Sequence, residues 1–179
     1  MKVLQVVAVL LILLTSSIKV VAQIEEVQEN EFRKHKVMFA IGHAAIPAGI
    51  NRHGDKVWTI LPSWALDYDF RFNEKWSVGV HTDLVVENFE YENNEIVFER
   101  TRPFSTVLVG SRKFGEHLIL LIGGGIELAK EKNLKLLRIG SDYSWELPKQ
   151  WEIAVSMTVD FKLDAYTSCG LGLGIAKLF

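Results

Sequence analysis

The sequence holds one cysteine, Cys169, and four prolines in 179 residues. A lone thiol makes no internal disulfide, so the fold does not rest on a cysteine framework. No sign of charge dominates either: 20 lysines and arginines stand against 22 aspartates and glutamates, net −2. That balance excludes a nucleic-acid-binding domain, which would be strongly basic. Beyond residue 22 there is no apolar run fit for a transmembrane helix. The longest, 118–126, is nine residues and includes three glycines, where a spanning helix needs about 20 apolar residues. Yet 49% of the chain is hydrophobic, and that content must be accommodated in strands.

What is present begins at the N-terminus. MKVLQVVAVLLILLTSSIKVVAQ has the pattern of a secretory signal peptide: Lys2, an apolar core over 3–14, and small Val20 and Ala22 before Gln23. Residues 1–22 are expected to be removed, and no cysteine follows the cut, which argues against a lipoprotein. Loss of Lys2 and Lys19 leaves 18 basic and 22 acidic residues, net −4. The remaining 157 or so residues suit one domain.

From Trp151 to Leu163 every odd position is apolar: Trp151, Ile153, Val155, Met157, Val159, Phe161, Leu163. The even positions between are polar or small. A strict period of two means a β-strand whose faces see different surroundings. The last segment repeats this, with Leu171, Leu173, Ile175 and Phe179 against Gly170, Gly172, Gly174 and Ala176. Six further strand-like segments precede these two, at 36–47, 57–72, 75–87, 95–113, 117–129 and 135–147. Neither parity is cleanly apolar in 95–113, and that of 36–47 is ambiguous; Pro103 and a bulge are the expected reason in the former. FNEKW, FGEHL and LPKQW form tight turns, while 48–56, 88–94, 130–134 and 163–165 include the longer connections.

A final strand with a terminal Phe179, preceded at alternate positions by Leu171, Leu173 and Ile175, resembles the ending of bacterial outer-membrane β-barrel proteins of the small, eight-stranded kind. The resemblance covers 36–179. It implies an all-β protein: an eight-stranded antiparallel up-and-down transmembrane β-barrel after an N-terminal signal peptide, located in the outer membrane. It also implies that Leu171, Leu173, Ile175 and Phe179 are a membrane-insertion signal for the barrel-insertion machinery. Lys177 departs from the pattern, since an aromatic or apolar residue is usual there. Residues 23–35, too polar for a membrane strand, become a periplasmic lead-in of one or two helical turns. An even strand count places both ends of the barrel on the periplasmic side, with tight turns there and longer loops outside. Trp58, Trp76, Trp145, Trp151, Phe70, Phe72 and Phe161 lie near strand ends, where interfacial aromatic girdles belong.

Alternation alone leaves open which face is inside. A soluble lipocalin-like carrier of a hydrophobic ligand also has eight strands, with its apolar face turned into a cavity. The crowd of large aromatics on the apolar face, the Gly, Ala and Ser of the other face, and Phe179 all favour the membrane barrel.

An eight-stranded barrel has an interior that side chains fill. The expected lumen network is Asp67, Asp69, Arg71, His81, Asp83, Glu127, Arg138, Asp142, Glu152 and Asp160, with Glu87, Glu146 and Lys162 as further candidates. Buried charges must be paired, so a structural salt-bridge network is the first expectation. The catalytic alternative is a lipid A-modifying outer-membrane enzyme built on His81 with Asp83 and Asp67, since a histidine beside a carboxylate is the orienting half of a hydrolytic triad. HTD lacks an adjacent reactive serine in the pattern of those enzymes. A metal site from His81, Asp83 and His43 matches no standard spacing, and His43 is expected in the lumen or at its rim. GLGLG at 170–174 sits mid-strand with no helix after it, so it is no phosphate loop. No cofactor and no metal is expected.

Arg52, His53, Lys56, Arg100, Lys130, Lys132 and Lys162 are placed in exposed loops, beside Glu90, Glu92 and Glu95. Basic groups there suit phosphates of lipopolysaccharide. Asn93-Asn94 predicts a two-residue turn in a hairpin over 88–99, with Tyr91 opposite Ile96 and Phe89 opposite Phe98. Outer-membrane lipids and lipopolysaccharide are the expected partners of a monomer. The function expected is non-enzymatic: envelope integrity, or surface recognition through the outer loops.

Overall fold

The computed structural model describes residues 32–179, apart from 51, 52, 54, 94 and 95. The signal segment 1–22 and most of the lead-in lie outside the described residues. Ten strands follow one another: β1 (His35–Ile50), β2 (Lys56–Arg71), β3 (Trp76–Val85), β4 (Phe89–Asn93), β5 (Ile96–Arg100), β6 (Phe104–Phe114), β7 (Leu118–Leu128), β8 (Leu134–Leu147), β9 (Trp151–Lys162) and β10 (Thr167–Leu178). Eight of them form a closed antiparallel ring in the order β1-β2-β3-β6-β7-β8-β9-β10, and β10 pairs back onto β1 from Lys36↔Leu178 to Ala45↔Cys169. Closure leaves this ring without an unpaired edge, as a lipid-spanning sheet requires.

The two extra strands are a hairpin inserted between β3 and β6. It continues those two strands beyond the ring, and β4 pairs with β1 at Gly49↔Tyr91. The hairpin departs from the expected register. Tyr91 lies opposite Phe98, Phe89 opposite Arg100 and Asn93 opposite Ile96, while Asn94 of the expected turn lies outside the described residues. In the adopted register Tyr91 stacks on Phe98 at 5.5 Å, and Arg100 is brought over the barrel mouth onto Glu127, a buried partner that the expected register would not supply.

The apolar alternate residues face outward. Ile41, Trp64, Leu66, Leu108, Ile122, Leu137, Met157, Leu171 and Leu173 are all more than half exposed, a band of apolar surface that water would not tolerate and lipid does. The soluble-carrier arrangement, apolar side inward, is therefore not the one adopted. The two ambiguous parities resolve. In β1, Val37, Phe39 and Ile41 face out while Met38, Ala40 and Ala44 face in; in β6, Phe104 and Leu108 face out while Ser105, Val107 and Val109 face in.

At the end where β1 begins and β10 ends the turns are short. Asn73 Oδ1 accepts from the backbone N–H of Lys75 and Trp76 at 2.9 and 3.0 Å, a local side-chain turn. Gly115 takes φ +65 between β6 and β7, a conformation glycine adopts freely. A 3-10 turn, Pro148–Gln150, joins β8 to β9.

Candidate functional site

The interior is built in layers. Nearest the termini, Lys36 Nζ meets Glu152 Oε2 at 2.6 Å, with Asp142 buried nearby and Arg71 at the mouth. Arg71 turns away from the lumen carboxylates: it donates to the carbonyl of Arg33 at 3.2 Å and lies over the Phe32 ring. One level up is His81, which β2–β3 pairing sets directly opposite Asp67. Its Nε2 is 3.2 Å from Asp69 Oδ1, and its Nδ1 is 3.8 Å from Asp67 Oδ2.

Asp83 shares the inward face with His81 but is engaged elsewhere. Its Oδ2 lies 2.6 Å from Arg138 Nη1. Arg138 also donates from Nε and Nη2 to the two oxygens of Asp160, at 2.6 and 2.7 Å, a bidentate fork that an arginine's planar guanidinium matches. Lys162 reaches Asp160 at 3.3 Å, the Ser168 hydroxyl, and Glu127 at 3.7 Å. The sheet brings Arg138 to Asp83 and Asp160, and Lys162 to Glu127, across 22 positions or more of sequence, so these charges are held by their opposites, as burial demands.

The uppermost layer is centred on Glu127, 2% exposed. It accepts from Arg100 and from the Tyr166 hydroxyl, the latter at 2.8 and 2.9 Å. Arg100 also donates to the Lys132 carbonyl at 2.5 Å. Burial and the Glu127 carboxylate push the Tyr166 hydroxyl's pKa up, so it stays a donor. Above lies an apolar cap of Ile46, Leu61, Phe89, Tyr91, Leu134 and Tyr166. The Tyr166 ring packs 4.6 Å from Tyr91 and 5.5 Å from Phe89. Burial likewise raises the Tyr91 pKa.

Several expectations need correction. Arg100 was placed in an exposed loop and is 2% exposed, because the hairpin register points it at Glu127. Lys162 belongs to the lumen alone. Glu146 is largely exposed and pairs with Lys113 at 3.0 Å. His43 faces outward beside Pro62 and Leu171, because β1 turns its odd positions to the exterior. It therefore cannot join His81 and Asp83. Among the described residues no three His, Cys, Asp or Glu side chains are grouped to hold a metal ion. Leu171, Leu173, Ile175 and Phe179 all face out.

Sequence reasoning missed Lys36, Tyr166 and Ser168, and the inward patch of Val107, Val109, Leu121 and Leu136. The glycines opposite that patch leave no room for side chains: a Cβ on Gly125 would lie 2.0 Å from the Thr106 carbonyl. Lys36 was concealed by the ambiguous parity of its segment. Tyr166 sits in a turn, where periodicity has nothing to say. Lys177, the departure from the usual ending, lies over the Trp151 ring at 5.2 Å and donates to the Lys149 carbonyl, so its charge leaves the apolar band for the water boundary. Cavities of about 40 Å³ lie along the lumen, beside His81 and Asp142 and beside Arg138 and Asp160, room for ordered water.

No family model matches the sequence, and no curated protein matches it. Solved structures do. Ail, the attachment invasion locus protein of Yersinia pestis, in complex with the heparin analogue sucrose octasulfate, is 19% identical with TM-score 0.53, covering 82% of this chain and 99% of that one. Neisserial surface protein A is 10% identical with TM-score 0.54, covering 81% and 97%. The N-terminal β-barrel domain of Pseudomonas aeruginosa OprF is 12% identical with TM-score 0.51, covering 82% and 98%. The chain has the fold of the small outer-membrane β-barrels, and its outward apolar band is the surface such a barrel turns to the lipid of the outer membrane.

Proposed function

We propose that this outer-membrane barrel is non-enzymatic and that its working surface is external. The observation that carries this is the pairing of the lumen. Asp83, Glu127, Arg138, Glu152, Asp160 and Lys162 are held by one another and by Lys36 and Arg100, and His81 is flanked by two carboxylates. Charges so committed brace a wall rather than attack a substrate, and salt bridges crossing so narrow a barrel obstruct diffusion. Residues 1–22 act as the signal, 23–35 as a periplasmic lead-in and 36–179 as the barrel. Leu171, Leu173, Ile175 and Phe179 present the outward face that the insertion machinery takes up. The protein acts as a monomer among outer-membrane lipids and lipopolysaccharide.

Outside, the β4–β5 hairpin stands on the aromatic cap and carries Ile96, Val97 and Phe98, each more than two-fifths exposed. A surface-interaction role on this fold is supported by Ail, whose structure holds a heparin analogue. The test is a strain lacking the gene, complemented with the whole barrel or with one in which 90–99 is replaced by a short Asn-Gly turn. Both forms are expected to restore detergent resistance, and only the first to restore surface adherence. Full adherence from the shortened form would remove the hairpin's role. A changed lipid A acylation pattern in the deletion strain, restored by the barrel but not by His81→Gln, would establish the enzyme instead.

A further inference from the structure

On the outer face at the end where β1 begins and β10 ends, Arg112 has no carboxylate partner among the described residues. Arg112 is exposed on β6, level with Trp76 of β3 and Leu120 of β7. Its guanidinium carbon lies 5.0 Å from the Trp76 ring centre and 4.9 Å from that of Phe114. Both rings also face out, at 50% and 42% exposure. Among the described residues, these rings are its recorded partners. Three other basic groups at this end differ: Arg71 and Lys177 each donate to a backbone carbonyl, and Lys113 is paired with Glu146. Two rings fix the guanidinium in place by cation–π attraction while leaving its N–H edge without an acceptor. That edge matches a phosphate, which accepts two parallel hydrogen bonds from one arginine.

The surface next to Arg112 supplies the rest of a ligand. Two residues into the membrane along β6 is Gly110, which faces out, and a Cβ built there meets no atom within 4 Å. Val78 and Ile122 stand on either side of it and Leu108 beyond, so the apolar band has a notch one side chain deep, running inward from the guanidinium. Arg112 sits two residues from the short β6–β7 turn, at the end where β1 begins and β10 ends. In barrels of this kind that end is periplasmic, so the notch lies in the inner leaflet, with Arg112 at headgroup height.

We propose that Arg112, clamped by Trp76 and Phe114, together with the Gly110 notch, binds one anionic glycerophospholipid of the inner leaflet. The phosphate rests on the guanidinium and an acyl chain lies along β6 over Gly110. The guanidinium carries its full charge with no carboxylate paired to it among the described residues, so a net-negative headgroup is preferred. This site is independent of what the external loops do.

The test is native mass spectrometry of the purified barrel in detergent doped with dioleoyl phosphatidylglycerol or phosphatidylethanolamine, each variant first shown to be folded by heat-modifiable migration. The parent is expected to retain one phosphatidylglycerol in preference to phosphatidylethanolamine. Arg112→Gln should weaken that binding about tenfold, the value of one charge-assisted hydrogen-bonded contact. Gly110→Leu fills the notch with the charge intact and should weaken it comparably. Lys75→Gln removes a neighbouring charge outside the site and should leave it unchanged. Undiminished binding by Arg112→Gln or by Gly110→Leu would overturn the proposal. So would an equal loss in Lys75→Gln, which would reduce the effect to a diffuse basic collar, or equal retention of the two lipids by the parent.

Discussion

The two ends of the inward face along β3 and β4 are built on opposite chemistry. Along β3 and β4 the odd positions point inward, with the bend between the two strands leaving Glu87, a lumen candidate from the sequence, exposed. From Gly79 to Asp83 the inward side chains are absent or polar, and from Val85 through Phe89 to Tyr91 they are apolar. The outward positions invert as well, from Trp76, Val80 and Leu84 to Glu90 and Glu92. The same inversion occurs on β8, where Arg138 and Asp142 lie inside but Leu134 and Leu136 close the mouth and Lys135 faces out. Within the lipid the apolar face must look outward; above it, water reverses the preference and an ordinary small core forms. Parity is thus continuous across the boundary, and only the character of the residues changes.

This contrast is open to test from both sides. The largest effect is expected from Arg138→Ala, which strands Asp83 and leaves Asp160 with Lys162 as its remaining cation, and should cost about 3–5 kcal/mol. Urea unfolding in detergent, followed by heat-modifiable migration, measures it; a loss below ~1 kcal/mol would show that water screens the lumen. Phe89→Ala opens the cap by about 3 kcal/mol, but locally. Proteolysis between 88 and 100 should accelerate while the ring stays folded, and simultaneous loss of both would mean that cap and barrel are one cooperative unit.

His81 is a smaller and more selective probe of the lumen. His81→Gln keeps a donor for Asp69 and should cost about 1 kcal/mol, whereas His81→Leu leaves two carboxylates unanswered and should cost about 3 kcal/mol or more. Equal losses in the two variants would mean that packing, not hydrogen bonding, matters at this site. The smallest effect belongs to the rim. Glu131 is held below the ordinary carboxylate range first by its hydrogen bond from the Thr101 hydroxyl, at 2.5 Å. Because the folded value is the lower one, this contact contributes fully above the ordinary carboxylate pKa and is lost as pH falls through the depressed value. Thr101→Val should flatten that acid dependence without a measurable change in stability at neutral pH. An acid limb that persists in Thr101→Val would assign it to other carboxylates.

Much of this was legible in the residues themselves. The period-two runs from Trp151 to Leu163 and from Leu171 to Phe179 dictate strands with two unlike faces, because successive side chains of a strand point opposite ways. The same alternation set Asp67, Asp69, His81, Asp83, Arg138, Asp142, Glu152 and Asp160 apart as one face, and the short turns required antiparallel neighbours. Partnership was not legible. Asp83 answers Arg138 across the barrel instead of His81 two residues away, since the closure of β10 on β1 and the stagger of the strands decide which side chains meet across the lumen. Nor could the chain alone show that Arg100 descends onto Glu127 and Tyr166. Local turn preference and the cross-strand stacking of Tyr91 on Phe98 disagree about the hairpin register. Only the assembled mouth of the barrel, where a buried carboxylate needs a donor, resolves that disagreement.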